Sequence, residues 1–127
     1  MEQLIINVNW IAVVVGAIAA YMLGALWYSD KMFAKKWKAG TGIPAVANTP
    51  MMHGMLTQAA GTLLLAWVIG ITETTNSIGL AILIGLTIAA LIKANGFFAG
   101  KTKFAIFVES SFVLAMVFVM ILAHVVL

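Results

Sequence analysis

The sequence predicts an all-α integral membrane protein, a four-helix bundle in which each helix crosses the bilayer. Of the 127 residues, 64% are hydrophobic and 9% are charged, and the mean hydropathy is +1.12. Soluble domains carry about 25% charged residues. A soluble chain of this length buries only about two-thirds of its unfolded surface, so too much apolar surface would face water. Lipid is therefore the expected solvent.

Four apolar stretches are each long enough to cross the hydrocarbon core. We place the spans at about residues 9–28, 50–70, 78–98 and 104–127 of a single transmembrane domain, 1–127. At 1.5 Å of rise per residue, about 20 helical residues cover roughly 30 Å of hydrocarbon. Pro50 favours a helix start, because the missing N–H costs nothing at the first helical position. The polar residues 72–77 are expected to end the second span and to cap the third.

The loop after the first span combines aromatic and basic residues. Phe33 and Trp37, four residues apart, share one helix face, and lysines occupy most of the other, which predicts a short interfacial amphipathic helix in residues 29–38. Tryptophan and tyrosine at both ends of the first span favour the headgroup level. We expect this region to contact anionic lipids. The predicted lipid-interface residues are Trp10, Trp27, Tyr28, Lys31, Phe33, Lys35, Lys36, Trp37 and Lys38.

The lysines of the loops predict the orientation. Those in residues 31–38 lie in the first loop and those in residues 101–103 in the third, whereas the second loop carries Glu73 and no lysine. The positive-inside rule places the lysine-rich loops in the cytoplasm, so both termini are expected outside. The first span is too long for a cleaved signal peptide, and we expect it to be retained.

Small residues recur every four positions in two spans. Such stripes allow helix backbones to approach closely. We favour packing within one chain over a self-association face, although four short helices have little interior and a homo-oligomer would bury more of these faces. The stripe residues are Ala12, Gly16, Ala20 and Gly24 in the first span and Ala81, Gly85 and Ala89 in the third.

Two ionisable residues, Lys93 and Glu109, lie inside the predicted spans, where each costs about 2.5 to 3.5 kcal/mol on insertion scales. Both are eight residues from Lys101, at the turn between the last two helices, so they are expected at equal depth and as a pair. We expect one polar cluster in the cytoplasmic half. Its members are His53, Gln58, Lys93, Asn95, Glu109 and Ser110.

This cluster has two interpretations. If it is hydrated, Glu109, Lys93 and His53 form a proton or small-ligand site. In the favoured structural interpretation, Lys93 extends toward the headgroups or pairs with Glu109 to set the hairpin register. His124, near the outer end of the fourth span, is expected at the interface.

Several function classes are disfavoured. The chain has no cysteine, so thiolate chemistry and disulfides are excluded. All seven basic residues are lysines beside apolar spans, which argues against nucleic-acid binding. No catalytic motif appears, so we expect no enzyme and no cofactor. The methionines around His53 are interpreted as apolar filler and not as a metal site.

Two runs carry a family resemblance. Asn9-Trp10 with residues 24–29, Phe33 and Trp37 resembles the opening of domain-of-unknown-function family 1761, and residues 95–101 with Phe104 and Phe107 are similar to its last interhelical segment. Asp30 stands where that family commonly has proline, and Glu109 where an amide is frequent, so no role of Glu109 is carried over. The resemblance implies a multi-pass, four-helix protein of the bacterial inner (plasma) membrane, and it implies no activity or catalytic residues.

Our leading functional hypothesis is an oligomeric channel or transporter that passes an ion or small solute through the polar cluster. The alternative is a non-catalytic accessory or structural membrane subunit. In that case the small-residue stripes and the basic interfacial helix would dock protein partners or anionic lipid.

Overall fold

A computed structural model describes residues 2–27 and 51–127, except for the side chains of Gln3 and of residues 51–54. Within these residues the chain is helical, with a 3-10 turn at Glu2–Leu4 and four α-helices: α1 (Trp10–Trp27), α2 (Met51–Thr74), α3 (Ile78–Phe98) and α4 (Lys103–Val126). All four are long and apolar enough to cross a membrane. The predicted all-α, four-helix fold is confirmed. The predicted interfacial helix and Pro50 lie outside the described residues.

Polar side chains satisfy backbone groups at several helix ends. Asn9 Oδ1 accepts from Ala12 N–H at 3.1 Å at the start of α1, and Thr102 Oγ1 accepts from Ala105 N–H at 3.2 Å at the start of α4. These bonds satisfy N–H groups that have no partner within the first turn. Each cap therefore marks where its helix begins.

The second helix extends beyond the predicted end at about Gly70. The hydroxyls of Thr72 and Thr74 donate to helix carbonyls three residues earlier, at 2.6 and 2.7 Å. Because these side chains are satisfied within the helix, α2 continues to Thr74 despite its polar sequence.

The predicted cap of the third span is not formed. Ser77 precedes α3, but its side chain makes no capping bond, and its Oγ lies 2.8 Å from Thr75 Oγ1. Asn76 has φ 53°, so the chain reverses through a left-handed residue. The polar segment therefore works as a turn and not as a side-chain cap.

A glycine turn joins α3 to α4. Gly100 has φ +75°, its N–H donates to Phe97 O at 3.1 Å, and Lys101 N–H donates to Gly96 O at 3.0 Å. This is a Schellman motif, which favours glycine at the left-handed position. The turn places Lys101 two residues before the start of α4.

Helix α4 is the most buried of the four and packs along both α1 and α3, while α2 packs mainly on α1. Small residues permit these contacts. A β-carbon added at Gly16 would lie 3.4 Å from Ala123 Cβ, and one at Gly85 would lie 3.1 Å from Val117 Cγ2. Within this chain the two stripes therefore face α4. The buried stripe residues are Ala12, Gly16, Ala20, Ala81, Gly85 and Ala89, and Gly24 is half-buried against Phe112.

Candidate functional site

An ion pair lies at the turn end of the bundle interior. Lys101 Nζ donates to both carboxylate oxygens of Glu109, at 2.7 and 3.0 Å. The two side chains are only 27% and 16% exposed. Glu109 continues the stripe of Val113, Met116 and Met120, which are buried in the core. The carboxylate therefore faces the bundle interior, and the Lys101 side chain extends along the first turns of α4 to bond it.

The expected pairing of Glu109 with Lys93 is wrong. Equal depth along a hairpin does not decide the direction in which each side chain points. Lys93 is exposed on the outer flank of α3, and it makes no hydrogen bond or ion pair with any residue the structure describes. Glu109 points into the bundle and bonds Lys101 instead.

An outer groove of about 300 Å³ contains Lys93. Ser110 and Ser111 lie in it, but both hydroxyls donate to Phe107 O, at 3.3 and 2.6 Å, so they are satisfied within α4. Among the groove's polar side chains, the Lys93 amine is the one without a partner in the described part of the chain. The groove is lined by Leu86, Ala89, Ala90, Lys93, Phe107, Ser110, Ser111 and Leu114.

Gln58 and Asn95 lie at similar depth on the α2–α3 hairpin, 18 and 19 residues from Asn76. Asn95 follows Lys93 by two residues, about 200° around the helix, so it lies on the opposite flank of α3. Both amide residues are exposed. Gln58 Nε2 donates to Thr62 Oγ1 at 3.2 Å, and Thr62 Oγ1 donates to Gln58 O at 2.7 Å.

The six expected cluster residues are therefore not in one place. Lys93 and Ser110 line the outer groove, whereas Glu109 faces the bundle interior. Gln58 and Asn95 are exposed on α2 and α3, and the His53 side chain lies outside the described residues. The rotation of each helix, and not its depth, separates them.

The first half of α2 has few packing neighbours among the described residues. Every residue from Met55 to Gly61 is exposed, and a β-carbon at Gly61 would meet nothing within 4 Å. From Thr62 onward, buried positions recur. Tyr21 Oη donates to Met55 O at 3.3 Å, so α1 contacts this half of α2 on one side. We call the exposed surface made by residues 55–61 of α2 with Asn95 of α3 the α2–α3 face.

Two tryptophans form interhelical bonds that the sequence did not indicate. Trp27 Nε1 donates to Val108 O at 3.1 Å, with the ring centroid 6.1 Å from that of Phe112. Trp67 Nε1 donates to Leu4 O at 2.6 Å. Trp27 was predicted as a lipid-interface residue, which stays a prediction; its half-buried indole connects α1 to α4.

The other lipid-interface residues divide in two groups. Trp10 is exposed near the other end of α1, and its ring centroid lies 5.5 Å from that of Trp67. The remaining ones lie outside the described residues: Tyr28, Lys31, Phe33, Lys35, Lys36, Trp37 and Lys38.

His124 is buried in the bundle, in the last turn of α4, and its expected position at the membrane interface stays a prediction. It is 8% exposed, and neither ring nitrogen has a hydrogen-bond partner among the described residues. A β-carbon at Gly70 would lie 3.5 Å from His124 Cε1, so the small residue on α2 makes room for the ring. The i, i+4 spacing of Met116, Met120 and His124 was the signal for this inward direction.

Between its two polar ends, the inward stripe of α4 is apolar. Glu109 and His124 are fifteen residues apart, about 22 Å along the helix. The side chains of Val113, Met116 and Met120 between them are at most 5% exposed. Thr62 Oγ1 approaches Met116 Sδ at 4.0 Å, so α2 closes this region from its side. The interior between Glu109 and His124 is therefore packed with apolar side chains.

Comparison with known proteins gives one match. A family model described as a protein of unknown function (DUF1761) matches residues 11–125, which confirms the resemblance seen in the sequence. No curated protein and no solved structure matches the chain.

Proposed function

The chain belongs to DUF1761, a family of proteins of unknown function, and we propose from its geometry that it is a non-catalytic membrane subunit that assembles with a second copy of itself. The contact surface is the α2–α3 face. The observation that carries this proposal is the exposure of two amides, Gln58 and Asn95, at similar depth in helices apolar enough to cross a membrane.

Exposed amides are costly in hydrocarbon. Transfer of an amide from water to an apolar environment without a compensating hydrogen bond costs about 4 to 8 kcal/mol of free energy on the cyclohexane scale. Gln58 uses one N–H on Thr62, and its side-chain oxygen bonds no described residue. The Asn95 side chain has no partner among the described residues either. A contact that bonds these amides therefore stabilises the folded chain in lipid.

A second copy matches this chemistry. An amide group both donates and accepts, so the same residue on two copies can pair with itself across a two-fold axis. Gly61 lies three residues after Gln58, on the same side of α2, and has open space around it. The missing side chain allows a second backbone to approach the amide closely.

Transport of an ion or small solute is the second candidate. It is favoured by the Lys101–Glu109 ion pair, which would offer charged groups to a solute if water entered between α2 and α3. The packing of Val113, Met116 and Met120 opposes a path through one bundle, because these apolar side chains fill the bundle interior between Glu109 and His124. Transport would require this part of the interior to open, whereas assembly requires no rearrangement.

A single cysteine on the α2–α3 face that leaves both amides in place distinguishes the two candidates, because the chain contains no cysteine of its own. In liposomes, we expect Met55→Cys, about one turn before Gln58 on this face, to form a covalent dimer with a bifunctional maleimide, at a yield that stays constant as lipid is added. The matched control is Phe118→Cys, on an exposed face of α4, which is expected to stay monomeric.

The opposite result is equally clear. If Met55→Cys remains monomeric but reacts with a water-soluble maleimide that cannot cross the bilayer, the α2–α3 face is hydrated and not covered by a second copy. This outcome would contradict assembly through the face and favour the solute site. Equal dimer yields for Met55→Cys and Phe118→Cys would also contradict the proposal, since they would indicate random collision.

A further inference from the structure

The outer groove between α3 and α4 has a charge that the bundle does not neutralise. The described residues include three lysines, of which Lys101 bonds Glu109. Lys93 and Lys103 are exposed and have no acidic partner within the described ranges. This hairpin therefore presents two ammonium groups that no described acidic residue neutralises.

Lys93 belongs to the groove, and Lys103 lies beyond its turn end on the same stripe of α4 as its lining residues. Lys93 lines the groove directly. Lys103 is the first residue of α4, and it shares a helix stripe with Phe107, Ser110 and Leu114, at i+4, i+7 and i+11, all of which line the groove. Lys103 therefore stands beyond the turn end of the groove, with Lys93 further in.

Lys93 lies deeper in the helix hairpin than Lys103. It is five residues before the end of α3, about 8 Å inside the helix end, whereas Lys103 is the first residue of α4. The long side chain of Lys93 can extend toward the headgroup level while its methylene groups stay in the apolar region. An anion held between the two amines would therefore lie near the phosphate level of the adjoining leaflet.

The deeper walls of the groove are apolar. Leu86, Ala89, Ala90 and Leu114 line it toward the membrane centre, and the small alanine side chains leave room for a hydrocarbon chain. A water-soluble anion would make no favourable contact with these apolar walls. A phospholipid carries both a phosphate and an acyl chain, so it can contact the amines and the apolar walls together.

We propose that the groove binds one acidic phospholipid of the leaflet next to the α3–α4 turn, with its phosphate between Lys93 and Lys103 and an acyl chain along α3 and α4. This site is separate from the α2–α3 face, since Lys93 and Asn95 lie on opposite flanks of α3. It holds whether or not the chain assembles with a second copy.

Native mass spectrometry with phosphatidylglycerol tests the proposal. A lysine near the membrane surface contributes about a five-fold preference for anionic lipid, so we expect Lys93→Met to weaken the first bound phosphatidylglycerol by about that factor. Lys93→Arg keeps the charge and should retain binding. Ala90→Phe should weaken binding without any change in charge, because the ring fills the groove. The first bound phosphatidylcholine of the same chain length should have the same affinity for the wild type and for the two Lys93 variants.

A charge-matched control separates a site from diffuse attraction. Thr75→Glu lowers the net charge by the same amount in the exposed α2–α3 turn, at the other end of α3, and the first bound phosphatidylglycerol should be unchanged. Equal losses in Thr75→Glu and Lys93→Met would overturn the proposal, as would full binding by Ala90→Phe. The unfolding midpoint of each variant is measured in mixed micelles. If it equals that of the wild type, a loss of lipid binding comes from the lost lipid contact and not from a change in stability.

Discussion

Replacement of Lys101 by methionine is expected to lower the free energy of unfolding by about 2 kcal/mol. Loss of one partner from a buried ion pair costs about 3 to 5 kcal/mol, and pairs at the surface contribute at most about 1. The side chains here are 27% and 16% exposed, which places the pair between these limits. The substitution removes the ammonium group that bonds both oxygens of Glu109. Unfolding in mixed micelles with increasing dodecyl sulfate measures the change.

A double-mutant cycle identifies the partner. Lys101→Met and Glu109→Gln should be non-additive by about 1 to 2 kcal/mol, because each removes the same ion pair. Lys93→Met is the matched control, since Lys93 lies at the same depth as Glu109 but on another face. Its effect should add to that of Glu109→Gln within about 0.5 kcal/mol. Coupling of Glu109 with Lys93 and not with Lys101 would contradict the structure.

Gly70→Ala is expected to lower stability by about 1 to 2 kcal/mol. The new β-carbon would lie 2.6 Å from Val13 Cγ2 and 3.5 Å from His124 Cε1. Val13 is 1% exposed and β-branched, so its methyl group cannot rotate away without a further clash. Overpacking of this kind costs about 1 to 3 kcal/mol, of which the better helix propensity of alanine recovers at most about 1. The same micelle titration measures it.

Two further variants test the steric explanation. Gly79→Ala on α3 meets nothing within 4 Å, so it should be neutral or slightly stabilising. Combining Gly70→Ala with Val13→Ala should cost less than the sum of the single changes, because the second change removes the methyl group that clashes. A strictly additive pair would refute contact between α1 and α2 at Gly70.

The helices could be predicted because they depend on the local sequence. Long apolar runs between polar segments are enough to define α1, α3 and α4, and the described helices begin and end within a few residues of the expected spans. The end of α2 was missed by about four residues. Thr72 and Thr74 look like a polar break, but their hydroxyls bond helix carbonyls, a geometry that composition does not show.

The candidate site was harder to predict because it depends on helix rotation. Hairpin symmetry gave the correct depth of Lys93 and Glu109, but the contacts of Gly85 and Gly96 with α4 turn Lys93 to the outer flank. For the same reason His124 points inward against Gly70 and Trp27 reaches Val108. Such rotations follow from side-chain packing over several helices, and a single sequence contains no direct signal for them.

Labelling of the two interhelical turns tests the central claim most directly, that these helices cross a bilayer. Thr75 and Ala99 are exposed, in the α2–α3 and α3–α4 turns, and the chain has no other cysteine to interfere. In sealed right-side-out vesicles, an impermeant maleimide should label Thr75→Cys at once and Ala99→Cys only after lysis, since the lysine-rich turn is expected inside. Labelling of both positions in sealed vesicles would contradict the account, because α3 would then not cross the membrane.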